Sequence, residues 1–264
     1  MEDMPMKDFF TKEISTKDIL AEAEKSSFNP YLYREKVYSE FNEDGIIQEI
    51  LRRLETQPNK SFVEFGGWDG KYFSNTANLR ENYGWSGILF EAQKDKINDN
   101  IKNAKIYNEM VTTENVNELF IKYNVEKNLG LLSIDIDSND IYIFEALDLK
   151  NLFHPSIIVI EYNPGLPNNI PLRIKKDQTK FRSGYFNANL NAMYDVAKSK
   201  EYCFLCSIVY NAFFIRKDIF SELGVEEMDK KSIMIANDKE SSRGQRGWRN
   251  KVRKHNAIWL TEER

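Results

Sequence analysis

The sequence predicts an α/β fold, a mostly parallel seven-stranded sheet that ends in an antiparallel hairpin toward the carboxyl terminus. Three observations predict it. Phe62-Val63-Glu64-Phe65-Gly66-Gly67-Trp68-Asp69-Gly70, followed by Gly87-Ile88-Leu89-Phe90-Glu91, reads as strand, glycine-rich turn, helix and second strand, a βαβ unit. Near-continuous apolar runs at 130–137 and 156–163 suit parallel strands covered by helices on both faces. Strands at 202–209 and 212–217 lie too close in sequence for a crossover and must form a hairpin.

Taken in order, residues 1–36 are polar and charged, and read as a helical arm outside the sheet. A helical face follows at Ile46, Ile47, Ile50, Leu51 and Leu54. The first strand covers about 61–66, a helix Asn75–Glu81, and the second strand 87–92, with a lysine- and asparagine-rich surface helix expected after it. A strand near 105–111, a helix at Glu114–Tyr123, the strand at 130–137 and a helix at Ile141–Leu147 come next. The strand at 156–163 leads into an irregular segment, 164–183, long enough to suggest a functional loop. A helix at Ala188–Lys200 precedes the hairpin. The main domain is expected over 37–220, with a basic extension over 221–264.

The 264 residues suit one large α/β domain with appendages, and the 41% hydrophobic content is enough for a packed core. A net charge of −4 gives no global basic excess, so nucleic acid is not the expected partner. No signal peptide or membrane-length apolar run is visible, which points to a cytoplasmic protein with no membrane association. Cys203 and Cys206 sit three apart in a strand, an arrangement expected to point them to opposite faces as free buried thiols.

Ligands of open parallel sheets bind beyond the carboxyl ends of the strands. Four such ends carry acids: Glu64 just before Gly66, Glu91, Asp135-x-Asp137, and Glu161-x-Asn163. Glu91 lies 21 residues beyond Gly70, where such folds place the acid that binds ribose hydroxyls. Strand alternation should bring Asp135, Asp137, Glu161 and Asn163 together, and crowded carboxylates call for a positive partner. A set of Asp137, Glu161 and Asn163, with Asp135 beside it, suits Mg²⁺ or Mn²⁺. The competing reading is that one or two of these acids cap loops or helix starts, for which Asp137 and Asp140 are well placed. Asp137 and Asp135 are the candidate catalytic groups. The shortage of histidine, with only His154 and His255, favours metal-assisted deprotonation over an imidazole base.

The spacing Glu64-x-Gly66-x-x-x-Gly70 departs from the G-x-G-x-x-G of dinucleotide dehydrogenases. It resembles the first motif of class I methyltransferases, Rossmann-like proteins that bind S-adenosylmethionine. Over roughly residues 38–217 the chain resembles the FkbM-type methyltransferases in particular. The likeness starts at Tyr38-Ser39-Glu40-Phe41-Asn42-Glu43-Asp44-Gly45 and runs through the glycine turn, Ser74-Asn75-Thr76 and Gly84-Trp85-Ser86-Gly87. Leu132 to Asp140, Ile160-Glu161-Tyr162-Asn163 and Asn211 to Arg216 complete it. Three positions depart from the pattern: Glu40 stands where relatives carry glutamine, and Asn42 and Ser138 where glycine is common. Those enzymes transfer a methyl group from S-adenosylmethionine to hydroxyls of sugars and secondary metabolites; the resemblance implies their fold and cofactor and leaves the acceptor open. It implies cofactor contacts from Ser39, Glu64, Gly66, Gly67, Asp69, Asn75 and Glu91.

Arg243, Arg246 and Arg249 recur at every third residue in a basic stretch that also holds Gly244, Gly247, Trp248 and Trp259. The stretch is either a solvated terminus, an arm that grips phosphate on the acceptor, or an RNA-binding tail, which the overall acidity disfavours. A phosphorylated or nucleotide-linked sugar, a precursor of a surface polysaccharide or glycoconjugate, is the acceptor this reading expects. The alternatives are a nicotinamide-dependent dehydrogenase and a non-catalytic binding subunit with the methyltransferase fold.

Overall fold

The computed structural model describes residues 28–176, 186–244 and 259–261. In chain order its elements are α1 (Glu43–Arg53), β1 (Ser61–Phe65), α2 (Ala77–Asn82), β2 (Ser86–Glu91), β3 (Ala104–Asn108), α3 (Val116–Lys122), β4 (Leu131–Ile134) and α4 (Asp140–Ala146). There follow β5 (Ile157–Glu161), β6 (Leu172–Ile174), α5 (Leu190–Ser199), β7 (Tyr202–Ile208), β8 (Asn211–Arg216), α6 (Lys230–Gly244) and β9 (Trp259–Thr261).

Seven strands form one sheet in the order β3-β2-β1-β4-β5-β8-β7. Neighbours pair in parallel from β3 to β5, whereas β8 pairs antiparallel with both β5 and β7. One strand therefore runs against the other six. This is the class I methyltransferase architecture, and its order reverses between β1 and β4, the place where an open sheet leaves a crevice for a ligand.

Alternation in the strands feeds two cores. Val63, Phe65, Leu132, Ile134, Ile158 and Ile160 face α3, α4 and α5, while Phe62, Leu131, Ile157 and Val159 face α1 and α2. The strands are buried on both sides, which is why they read as continuous apolar runs and not as alternating ones. Packing crosses both expected domain boundaries. Phe28 belongs to the core under α1, and the Gly45 amide donates to the Glu35 carbonyl. Ile233 and Met234 of α6 are buried against the opposite face.

Three expectations differ from the structure. After β2 there is only a short 3₁₀ turn at Lys94–Lys96, not a surface helix. Asn98 accepts a hydrogen bond from the Asn100 amide, a local side-chain turn that competes with helix formation. The irregular segment after β5 contains β6, which pairs antiparallel with β9, so the chain beyond 220 returns to this loop. Cys203 and Cys206 lie in the same core, not on opposite faces, because a register irregularity between Phe204 and Cys206 shifts the alternation. Both thiols are buried and neither is in a disulfide. Among the described residues no helix is long and apolar enough to cross a membrane.

Candidate active site

The glycine turn sits at the switch point. Gly66 and Gly67 donate their amides to the Phe90 carbonyl at 3.0 and 3.2 Å, tying the end of β1 to β2. Gly66 has φ +70°, and a Cβ there would lie 1.8 Å from the Asp135 carbonyl oxygen, so only glycine fits between β1 and the chain leaving β4. Arg80, fully buried in α2, donates to the Gly70 carbonyl and fixes the far end of the turn.

Several of the expected cofactor residues build this loop system. Glu64 is buried; its Oε1 accepts the Asn75 amide at 2.8 Å and its Oε2 the hydroxyls of Ser74 and Thr76 at 2.6 and 2.5 Å. Burial raises its pKa against these bonds. Asn75 donates through Nδ2 to Ser133 of β4. Asp69 closes a turn by accepting the amides of Lys71 and Tyr72. The Ser39 hydroxyl donates to Asp44, whose Oδ2 also takes the amides of Val37, Tyr38 and Ser39. Asn42, where relatives carry glycine, has φ 78°, a left-handed conformation that asparagine tolerates better than most residues.

Over the strand ends opens a cavity of about 490 Å³. Gly66, Glu91, Asp135, Ile136, Asp137 and Ser138 line it. Glu91 anchors one wall: Oε2 accepts the Trp68 amide at 2.9 Å and Oε1 the Gln93 amide at 2.7 Å. Trp68, Tyr72 and Phe73 form an exposed aromatic wall. Lysines ride on the rings at this mouth, Lys96 over Trp68 and Lys36 over Phe73. Five acids line the cavity (Glu40, Glu91, Glu109, Asp135 and Asp137), and no lysine, arginine or histidine does. Burial and the charge of Glu43 raise the Glu40 pKa. Burial and the charge of Glu91 raise that of Asp137.

β4 ends at Ile134, so Asp135 and Asp137 lie beyond the paired strand and alternation does not govern them. Asp137 takes φ 62° and turns to the exposed rim. The left-handed residue of this turn is Asp137, so Ser138 adopts an ordinary backbone where relatives carry glycine. The carboxylates that do converge are Asp135, Asp140 and Glu161, with one oxygen from each within 4.8 Å of the others. Two members of the expected metal set thus stand apart. Asp137 lies outside the group, and Asn163 spends its side chain on the Phe186 carbonyl and the Gly165 amide. Burial and mutual repulsion raise the pKa values of Asp135 and Glu161 well above the ordinary range, and burial chiefly lifts Asp140 to about 7.

From sequence, Asp140 is only a capping candidate. Its Oδ1 does accept the Ile136 amide at 2.7 Å, but Oδ2 is left over. The aromatic wall was also missed, since exposed rings in a turn carry no periodic signal. Arg243 is near the end of α6, while Arg246 and Arg249 lie outside the described residues.

The sheet order and the crevice at its switch point define a class I methyltransferase fold. No family model matches the chain, and no curated protein does. Among solved structures, the chain is similar to a Streptococcus thermophilus protein described as a hemolysin, with 10% identity over 80% of this chain and 78% of that one and a TM-score of 0.45. It is similar to the cyclopropane synthase MmaA2 of Mycobacterium tuberculosis, with 10% identity over 90% and 93% of the two chains and a TM-score of 0.38. The carbon methyltransferase CurJ gives 10% identity over 75% of this chain, but only 63% of its own, and a TM-score of 0.39. At such identities and scores these likenesses carry no argument about chemistry.

Proposed function

We propose that the protein is an S-adenosylmethionine-dependent O-methyltransferase that acts on a hydroxyl of a sugar or of a phosphorylated or nucleotide-linked precursor of a surface polysaccharide or glycoconjugate, in the manner of the FkbM-type enzymes it resembles in sequence. The observation that carries the reading is the cavity at the switch point, lined by five carboxylates and no basic side chain. Such a lining attracts a cation, and within it no basic side chain stands ready to hold the pyrophosphate of a nicotinamide dinucleotide. S-adenosylmethionine, when bound, supplies a methyl group on a positively charged sulfonium.

The chain's own residues then have separable tasks. The Gly66 turn lets the backbone come close to a ligand, since no side chain stands there. Glu91 faces the cavity with both oxygens already oriented by backbone amides, so it is preorganised to accept from ribose hydroxyls. Asp137 stands on the rim and is our choice of proton acceptor from the acceptor hydroxyl. Its raised pKa brings it closer to the strength a general base needs. The rings of Trp68, Tyr72 and Phe73 offer flat apolar faces to a sugar, and the lysines above them suit an anionic acceptor. Arg243, Arg246 and Arg249 would add phosphate contacts from the tail.

Intact-mass screening of nucleotide sugars and phosphorylated sugars should find an acceptor that gains one methyl group. Asp137→Asn should lower kcat by about 10²–10⁴-fold while leaving S-adenosylhomocysteine affinity in place. Full turnover in that variant would remove Asp137 as the base. A protein that methylates none of these acceptors, yet methylates a carbon or nitrogen substrate, would overturn the O-methyl assignment.

A further inference from the structure

Asp135, Asp140 and Glu161 come from three separate points of the fold: the residue after β4, the first of α4 and the last of β5. Their oxygens meet within 4.8 Å of one another, and crowded carboxylates need a neutralising partner. One solution is to share protons through hydrogen bonds among the acids. The chain itself leaves two of these oxygens unfilled: Asp140 Oδ2 and Glu161 Oε2 are buried, and neither accepts from an amide or hydroxyl of the protein. Asp140 is fully buried and Glu161 only 8% exposed, so bulk water does not serve these oxygens either. A second solution is a basic side chain, yet among the described residues no lysine or arginine pairs with any of the three.

We propose that Asp135, Asp140 and Glu161 bind a hard divalent cation of the Mg²⁺ or Mn²⁺ class at the floor of the cavity. All-oxygen donors carrying formal charge suit such ions and not zinc or copper. The site differs from the set expected from sequence by having Asp140 in place of Asn163 and Asp137. Asp135 belongs both to the cluster and to the cavity wall, so positions the protein leaves free are open to water or to an acceptor oxygen. This deepens the methyltransferase reading and rests on it for the role: the cation orients the acceptor and lowers the pKa of the hydroxyl that reaches it.

Binding is tested on the full chain, stripped with chelator, by following free Mn²⁺ with electron paramagnetic resonance. The expected result is one saturable site per chain, displaced by Mg²⁺ and weakened at least tenfold in Asp135→Asn and in Glu161→Gln. The surface variant Asp148→Asn should bind like the wild type. Asp135 is only half-buried, so its variant keeps the test open if Glu161→Gln does not fold. No saturable Mn²⁺ binding, or binding unchanged in Asp135→Asn, would overturn the site. S-adenosylhomocysteine affinity is read separately on the same samples. A protein that binds it but not Mn²⁺ keeps the methyltransferase reading and loses the cation, and the reverse outcome separates them in the other direction.

Discussion

At the ends of β1 and β2, Glu64 and Glu91 have both carboxylate oxygens engaged by amides or hydroxyls of the surrounding loops. Across the crevice, at the ends of β4 and β5, Asp140 and Glu161 each keep a buried oxygen with no partner. All four acids are buried, so burial alone does not distinguish them. Satisfaction does. An acid whose oxygens are filled from its own chain is part of the scaffold. An acid left unfilled in the interior costs stability unless a ligand fills it. The first half of the cleft is therefore a wall whose acids the chain satisfies, and the second half holds acids that it does not.

Substitutions in the first half should cost folding. Gly66→Ala has the largest expected effect, because the left-handed backbone and the clash with the Asp135 carbonyl act together. The expected loss is about 2–6 kcal/mol, measured by urea unfolding. Glu64→Ala strands the donors of Ser74, Asn75 and Thr76 and should cost about 2–4 kcal/mol. If either variant unfolds like the wild type, the wall is not built as described. Glu91 stands between the two classes, since it both holds Trp68 and faces the cavity. Glu91→Ala should weaken S-adenosylhomocysteine binding by about 1.5–3 kcal/mol, and unchanged affinity by calorimetry would leave Glu91 as scaffold alone.

Most of the fold was legible in the sequence because its strands are apolar throughout and its turns are marked by glycine. The first half of the site was legible for the same reason: Gly66, Gly67 and Glu91 stand where the strand pattern stops. The second half was harder. Alternation does not reach Asp135 and Asp137, one and three residues past Ile134, the last paired residue of β4, because the backbone turns left-handed at Asp137 and no strand rule holds there. Asp140 was hidden by a correct but incomplete explanation, since one of its oxygens does bond the Ile136 amide. The shift of Cys206 onto the face of Cys203 was invisible because a single extra residue in a strand leaves no compositional mark.

In the second half the acids should act through pH and cations. Asp140 titrates near 7 in the folded chain against 3.8 ordinarily, so its folded form binds the proton more tightly. The stability this provides is complete below about pH 4 and is lost as pH rises through about 7. Glu40, Glu64, Asp135, Asp137 and Glu161 face the same region and are all raised, so they act in the same direction. Surface acids such as Asp218, held down by Arg216, work in the opposite direction at low pH. The metal-free protein should therefore lose melting temperature between pH 5 and 8, and the gain produced by added Mg²⁺ should grow over that interval. A Mg²⁺ effect that is independent of pH would place the ion elsewhere.

The smallest effect is expected from the tail. Neutralising Arg243, Arg246 and Arg249 together should raise the acceptor KM several-fold at low salt, with the difference shrinking as salt screens the charges. A chain truncated after Ser242 that folds and keeps the same KM would return the basic stretch to the role of a solvated terminus.

The acidic cavity at the β1–β4 switch point should hold a cationic adenosyl cofactor and not a dinucleotide. Calorimetric titration of the full chain with S-adenosylmethionine, S-adenosylhomocysteine and NAD in parallel decides between the two. One site per chain for the two adenosyl compounds, weakened by Glu91→Ala, with no heat from NAD, is the predicted result. Binding of NAD, or silence with both adenosyl compounds in a protein that is folded by its melting curve, would contradict it.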